Sequence, residues 1–323
     1  MLGVELPVAG QSIDLIALVA LGVATGFVAG FFGIGGGIIA VPMLHIVFGV
    51  HYNYAVGSSL AVIFGTAIAG TLRHRKLQQV DAKLGLLMFV GGFGGALLGT
   101  WIVQLLKHWG EVHFALRPIL AVNFVLPLVY AAYLVFVGRL FQRESARRKR
   151  ELRIDPEAPF QASAKNLLQR FRWRPRVSLA ASGIEDVSVW VLVLIGFLAG
   201  LTAGLLGVGG GIVMVPAMIY ILGMPTRVAI GTSLFMIILN TGVGTYFHAT
   251  GLGLFSRAEG ANCDIVLAAC ILIGSTVGAQ LGAATTRKVR GVQIRHSLAY
   301  LAYAVAVVTV LRLAHELGLL GGR

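Results

Sequence analysis

Charge is scarce in this sequence. Asp, Glu, Lys and Arg together make up 12% of its 323 residues, against about 25% in an ordinary soluble domain. That deficit excludes a conventional water-facing surface over most of the chain. Carboxylates are scarcer still. None occurs between Asp14 and Asp81, and Asp81, Asp186, Glu259 and Asp264 fall in loops or near the ends of apolar stretches. A proton or cation relay through the membrane uses ionisable groups at depth, so such a relay and cation substrates are both disfavoured. Cysteine is limited to Cys263 and Cys270. Their spacing fits neither a CxxC redox pair nor a zinc site, and both read as small packing residues. No cofactor or metal is implied, and no convergent set of Asp, His or Cys suggests an enzyme. Residues 1–14 hold Glu5 and Asp14 but no Lys or Arg. The basic leader of a cleaved signal peptide is missing there, so the first apolar span reads as retained.

Apolar residues are what the chain has, at 57%, together with 43 glycines. The runs 84–106, 189–206 and 265–286 contain no charge. Each is long enough, at about 1.5 Å per helical residue, to cross or nearly cross a hydrocarbon core of about 30 Å. The expected fold is an all-α polytopic membrane protein; a β-barrel would show short alternating segments instead. Apolar stretches fall at 13–31, 38–50, 54–72, 84–106 and 114–138, then at 188–206, 212–223, 227–248, 264–286 and 293–313. The members at 38–50 and 212–223 are too short for full spans. They read as tilted partial spans or return arms of re-entrant hairpins. The expectation is eight full transmembrane helices plus two short or re-entrant ones, up to ten membrane segments.

The two groups of five are copies. FFGIGGGIIAVP at 31–42 matches LLGVGGGIVMVP at 205–216, an offset of 174. AVGSSL at 55–60 matches AIGTSL at 229–234 at the same offset. GGFGGALLG at 91–99 matches GSTVGAQLG at 274–282, now offset by 183, which puts nine extra residues most simply in the loop 251–262. Residues 1–138 are thus a first transmembrane repeat, 139–187 a polar loop, and 188–323 a second repeat.

The net charge of +13 is concentrated: twelve of the 26 Lys and Arg lie between Arg139 and Arg176. Beside membrane helices this is a cytoplasmic loop touching anionic lipid rather than a specific nucleic-acid site. The basic stretches 73–83 and 287–295 are cytoplasmic by the same rule. Both chain ends, and the loops 107–113 and 249–263, then lie outside. The first copy enters from outside and the second from the cytoplasm, which gives inverted-topology repeats.

The glycine phrase itself fits no nucleotide loop. Neither copy has the Lys and Ser/Thr of a phosphate-binding NTPase loop, and no acidic residue follows at dinucleotide spacing. Glycines at four-residue spacing (Gly22, Gly26, Gly30; Gly91, Gly95, Gly99; Gly196, Gly200, Gly204; Gly274, Gly278, Gly282) read as helix-packing seams. The GxGGG cores differ. Consecutive glycines make a poor helix interior, and Pro42 and Pro216 suit a first helical turn or a kink. The pattern predicts a discontinuous helix with one arm ending near Phe32, a break over 33–37 and a new arm from Ile38. Unwound N–H groups and the positive end of the new helix form an anion site without any side-chain charge. Broken helices in inverted repeats are an architecture of secondary transporters. The candidate substrate-binding residues are Gly33, Gly35, Gly36, Gly37 and Pro42 with their counterparts Gly207, Gly209, Gly210, Gly211 and Pro216. Ser58, Ser59, Thr232 and Ser233 either donate hydroxyls to an oxyanion or bond within their own helices. Asn123 and Asn240 need a partner at membrane depth, either a helix or substrate. Of the histidines, His74 and His248 read as interfacial and His45 as packed. Arg117 faces either a cavity or outer headgroups.

The duplicated G[IV]GGG(x)4P phrase, the A[VI]G[ST]SL that follows it, and the central polar loop resemble the sulfite exporter TauE/SafE family of membrane permeases. The resemblance covers both halves and leaves out the basic loop, which is longer than the family's short linkers, and the termini. It implies a permease for small sulfur-containing and organic anions, such as sulfite or sulfoacetate, in the cytoplasmic (inner) membrane. It also implies that the two glycine–proline stretches line the substrate path, continued by Gly57 to Ser59 and Gly231 to Ser233. An anion channel of the same architecture is the alternative. The expected partners are a small anionic solute and membrane lipids; the sequence leaves the oligomeric state open.

Overall fold

The computed structural model describes residues 3–6, 11–50, 52–108, 111–114, 117–154, 173–179, 182–206, 209–250 and 263–317. Ten helices form among them. In the first half these are α1 (Leu15–Phe32), α2 (Gly37–Ile46), α3 (Tyr52–Lys76), α4 (Ala82–His108) and α5 (Ala121–Ile154). The second half repeats the order with α6 (Val189–Leu206), α7 (Gly211–Tyr220), α8 (Thr226–Thr250), α9 (Ile265–Thr285) and α10 (Gly291–Glu316). Five are long and apolar enough over their described residues to cross a membrane: α1, α4, α8, α9 and α10. Large apolar side chains face outward along them, among them Ile16, Val90, Ile273 and Val307. An outward face of this kind suits lipid rather than water.

Three antiparallel β-hairpins add to the helices, and the sequence reading missed them. β1 (Gly3–Leu6) pairs with β2 (Gln11–Asp14), β3 (Glu111–Phe114) with β4 (Arg117–Leu120), and β5 (Arg176–Leu179) with β6 (Ile184–Ser188). The first and third immediately precede α1 and α6, so the copies extend beyond the apolar runs. Asp14 closes the first hairpin and caps α1, its side chain accepting from the Ile16 N–H. Within the stretch 139–187, α5 continues through the basic cluster to Ile154. At 34 residues it is about 51 Å long, so its last turns outrun a bilayer core of about 30 Å.

Packing interleaves the two halves. α1 lies against α9 and α4 against α6, the two most extensive pairings, each joining a first helix of one copy to a fourth helix of the other. Glycine makes both contacts possible. A Cβ on Gly22, Gly26 or Gly30 would fall on the backbone carbonyl of Ile271, Ser275 or Ala279. A Cβ on Gly274, Gly278 or Gly282 would meet Val19, Val23 or Phe27 in return. The α4–α6 seam repeats this, with Gly91, Gly95 and Gly99 against Val193, Phe197 and Leu201, and Gly196 and Gly200 against Met88 and Gly92. These are the seams expected from sequence. The ascending order of partners shows that α1 and α9 run parallel, as do α4 and α6. α3 and α8, the third helices of the two copies, run antiparallel: Leu60 meets Gly244, Phe64 meets Gly242, Gly70 meets Leu234 and His74 meets Gly231.

Candidate substrate site

Each first helix ends at the glycine phrase because the backbone there leaves right-handed space. α1 stops at Phe32, and Gly33, Gly35 and Gly36 take φ of 74°, 81° and 75°. L-residues avoid that region at a cost of about 1–2 kcal/mol each. In the second copy Gly209 and Gly210 take φ of 78° and 76°. Gly36 and Gly210 are the N-caps of α2 and α7, which start one residue earlier than predicted, at Gly37 and Gly211. Gly207 lies outside the described residues. Pro42 and Pro216 sit well inside α2 and α7 rather than in a first turn. A proline ring cannot donate to the carbonyl four residues back, which loosens the bonding of Ile38 and Ile212. Both short helices close alike: Val47 and Phe48 donate to the Met43 carbonyl, Ile221 and Leu222 to the Ala217 carbonyl, and Gly49 and Gly223 follow with positive φ. At ten residues each, α2 and α7 are about 15 Å long, half a bilayer core.

The two breaks meet. The Cβ position of Gly211 lies 2.6 Å from the Gly33 carbonyl oxygen and 2.7 Å from Ile34 Cα. Gly35 and Gly209 both rest against the side chains of Ile63 and Ile237, from the middles of α3 and α8. Residues 33–37 and 209–212 are buried. Among the described residues, the N–H groups of Ile34 through Ile38 and of Gly209 through Ile212 donate to no protein acceptor. An N-cap in left-handed space followed by a right-handed first turn points successive N–H groups into one concavity, which suits an anion. The first turns of α2 and α7 add their positive dipole ends.

The candidate hydroxyls meet backbone groups of other elements. Ser58 Oγ accepts from the Asp264 N–H at 2.9 Å, and Thr232 Oγ1 accepts from the Asp81 N–H at 3.0 Å. Asp264 and Asp81 in turn cap α9 and α4 through Leu267 and Leu84, and Ser182 donates to Asp81 Oδ2 at 2.6 Å. Ser233 Oγ lies 2.7 Å from the Gly33 carbonyl and 2.8 Å from that of Ile230, and its one proton serves them. That hydroxyl ties α8 to the C-terminal end of α1, right at the break. Ser59 is buried and also engaged. Ser233 thus commits its proton to backbone carbonyls, whereas the bonds to Ser58 and Thr232 use only their oxygens as acceptors.

Asn240 is different. Both its amide atoms are buried, and neither finds a partner among the described residues. A Cβ on Gly92 would sit 3.3 Å from its Oδ1. The repeat equivalent, Thr66 by the 174 offset, is satisfied: its Oγ1 reaches the Val62 carbonyl at 2.6 Å and Ser275 Oγ at 2.7 Å. A buried amide without partners costs roughly 1–3 kcal/mol, so Asn240 is the side chain in this region that calls most strongly for a ligand. Asn123 falls in the first turn of α5, and its side chain lies outside the described residues, as do those of His45 and His248. His74 corrects the sequence reading. It is fully buried, with Nε2 donating to the Gly30 carbonyl at 2.9 Å and Nδ1 2.8 Å from the Gln79 side-chain amide. It caps the end of α1 from α3 instead of facing the interface. Cys263, outside the helices, has its thiol pushed up from the usual range by burial, with Asp264 adding to it. Among the described residues no group of three or more His, Cys, Asp or Glu is placed to hold a metal.

The duplicated breaks invite comparison with known proteins. The family model for "Sulfite exporter TauE/SafE" matches residues 18–309. The chain belongs to that family. Among curated relatives, it is 26% identical over 284 residues to the probable membrane transporter protein YunE of Bacillus subtilis, covering 86% of this chain and 90% of that one. It is 28% identical over 273 residues to a probable membrane transporter protein of Xylella fastidiosa, covering 83% and 84%. A third, MamO of Paramagnetospirillum magneticum, also called a probable membrane transporter protein, is 25% identical over 282 residues, covering 85% of this chain and 42% of that one. No solved structure matches. Membership supports a transport function for this multi-pass membrane protein, in a family of transporters rather than enzymes.

Proposed function

We propose that the chain is a secondary transporter that moves a small anion, a sulfur-containing oxyanion or organosulfonate such as sulfite or sulfoacetate, across the cytoplasmic membrane by alternating access. The observation that carries this reading is the meeting of the two glycine breaks. Two sets of buried N–H groups without a protein acceptor among the described residues, and two positive helix ends, come together there. Gly33, Gly35, Gly36 and Gly37 supply one side of the path. Gly207, Gly209, Gly210 and Gly211 supply the other, with Pro42 and Pro216 shaping the arms. Asn240 is the polar side chain that substrate satisfies, and Ser233 holds the first break in register.

The two halves are read as inverted repeats. The antiparallel run of the equivalent helices α3 and α8 supports this, because a twofold axis along the membrane normal would make equivalents parallel. The basic ends of α3 and α5 and the stretch 287–295 orient the molecule with those ends cytoplasmic and both termini outside. Eight long helices then cross, and α2 and α7 return halfway, the first to the outer face and the second to the inner.

The test is a panel of labelled sulfite, sulfoacetate and sulfate in proteoliposomes with imposed pH and voltage. Saturable flux of one sulfur anion, with counterflow, is the expected result. No flux of any anion would refute the reading. Flux far above carrier rates without counterflow would make the protein a channel.

A further inference from the structure

Ile63 and Ile237 are repeat equivalents, separated by the same 174 positions as the glycine phrases. Both are essentially fully buried, in a small apolar cluster with Ala67 and Leu234, apart from the main core. Ile63 Cγ2 lies 3.0 Å from the Cβ position of Gly35 and 3.6 Å from that of Gly209. Ile237 reaches the same two glycines at 3.3 and 3.7 Å, and Gly211 at 2.8 Å. The pair therefore stands at the meeting point of both breaks, on the antiparallel helices α3 and α8. Beside this apolar cluster lie the two glycine stretches, whose N–H groups suit an anion. Two branched apolar side chains in that position do nothing for anion binding. A hydrophobic constriction is, however, a barrier to a hydrated ion.

We propose that Ile63 and Ile237 together form the central gate and size filter of the path, and that they separate each time an anion passes between the half-sites. This rests on the transport reading above. Where α3 and α8 run past each other, a glycine on one helix faces a large side chain on the other: Gly70 meets Leu234 and Gly242 meets Phe64.

The test compares flux of sulfite with that of a bulkier organosulfonate in proteoliposomes carrying wild type, Ile63→Ala, Ile237→Ala and the double variant. Removing pocket methylenes relaxes size discrimination by about tenfold or more, so the bulky-to-small flux ratio is expected to rise by that factor in the alanine variants. Ile63→Leu should leave it near wild type. An unchanged ratio in folded alanine variants, with wild-type flux intact, overturns the gate and leaves the transport reading standing. No anion flux in wild type overturns the transport reading itself. Should the alanine variants not fold, Ile63→Cys and Ile237→Cys in a Cys263→Ser, Cys270→Ser background are exposed to a membrane-impermeant anionic maleimide. Labelling from both faces of the vesicle is expected; labelling from one face or neither overturns the gate.

Discussion

Gly36→Ala probes the break with a built-in control. Gly36 and Gly49 both have positive φ, 75° and 67°. An alanine at either pays the left-handed backbone cost of about 1–2 kcal/mol. They differ in surroundings. A Cβ on Gly49 meets nothing within 4 Å, whereas one on Gly36 lies 2.8 Å from the Thr25 carbonyl oxygen and 3.4 Å from Ala29 Cβ. Thr25 is in α1, held by its own helix, and its hydroxyl is bonded back to the Leu21 and Gly22 carbonyls. It cannot swing aside as a flexible side chain would. Overpacking adds about 1–3 kcal/mol, so Gly36→Ala is expected to cost about 2–5 kcal/mol in all. Gly210→Ala repeats the experiment in the second copy, with φ of 76° and a Cβ 2.6 Å from the Ala199 carbonyl oxygen. Thermal unfolding of purified protein in one detergent ranks the three variants. The expected order is a small downward shift for Gly49→Ala and a clearly larger one for both others. Equal shifts for all three would refute the close approach of the breaks to α1 and α6.

Asn240→Leu is expected to raise thermal stability while lowering anion flux, because it removes a buried amide without partners; a loss of stability would mean that the amide is satisfied in the resting protein. Ser233→Ala removes the bond to the Gly33 carbonyl and is expected to cost about 1 kcal/mol, read as a lower unfolding midpoint, with a larger proportional loss of flux. Gly278→Ala places a methyl on the Val23 carbonyl in the α1–α9 seam and is expected to cost about 1–3 kcal/mol; a neutral effect would refute the parallel seam. Cys263 should resist alkylation near neutral pH in the folded protein, since burial and Asp264 both disfavour its thiolate; mass spectrometry after iodoacetamide treatment checks this, and rapid modification of folded protein would contradict it.

Much of this was legible in the sequence because the same phrase is written twice. Three glycines in a row cannot extend a helix in lipid, so the stop at Phe32 followed from residue chemistry. The four-residue glycine spacing likewise marked the seams. What was hidden lay in pairs distant in sequence. Ser58 and Thr232 read as donors to an anion or as bonds within their own helices, and only the fold brings the Asp264 and Asp81 N–H groups onto them. His74 sat in a basic run and looked interfacial until α1 delivered the Gly30 carbonyl to it. Ile63 and Ile237 were two among many isoleucines. Their shared offset of 174 was the available signal, but nothing in an apolar side chain advertises a gate until its neighbours are known. The hairpins were missed because strands of four or five residues beside long apolar helices leave almost no periodic trace.

The central claim is that the two breaks form one anion site, to which each copy contributes an indispensable half. Labelled sulfite and sulfoacetate flux in proteoliposomes, measured side by side for wild type, Gly36→Leu and Gly210→Leu at equal levels of folded protein, tests it most directly. The account predicts saturable flux in wild type and its loss in each single variant. Normal flux in either well-folded variant would contradict it.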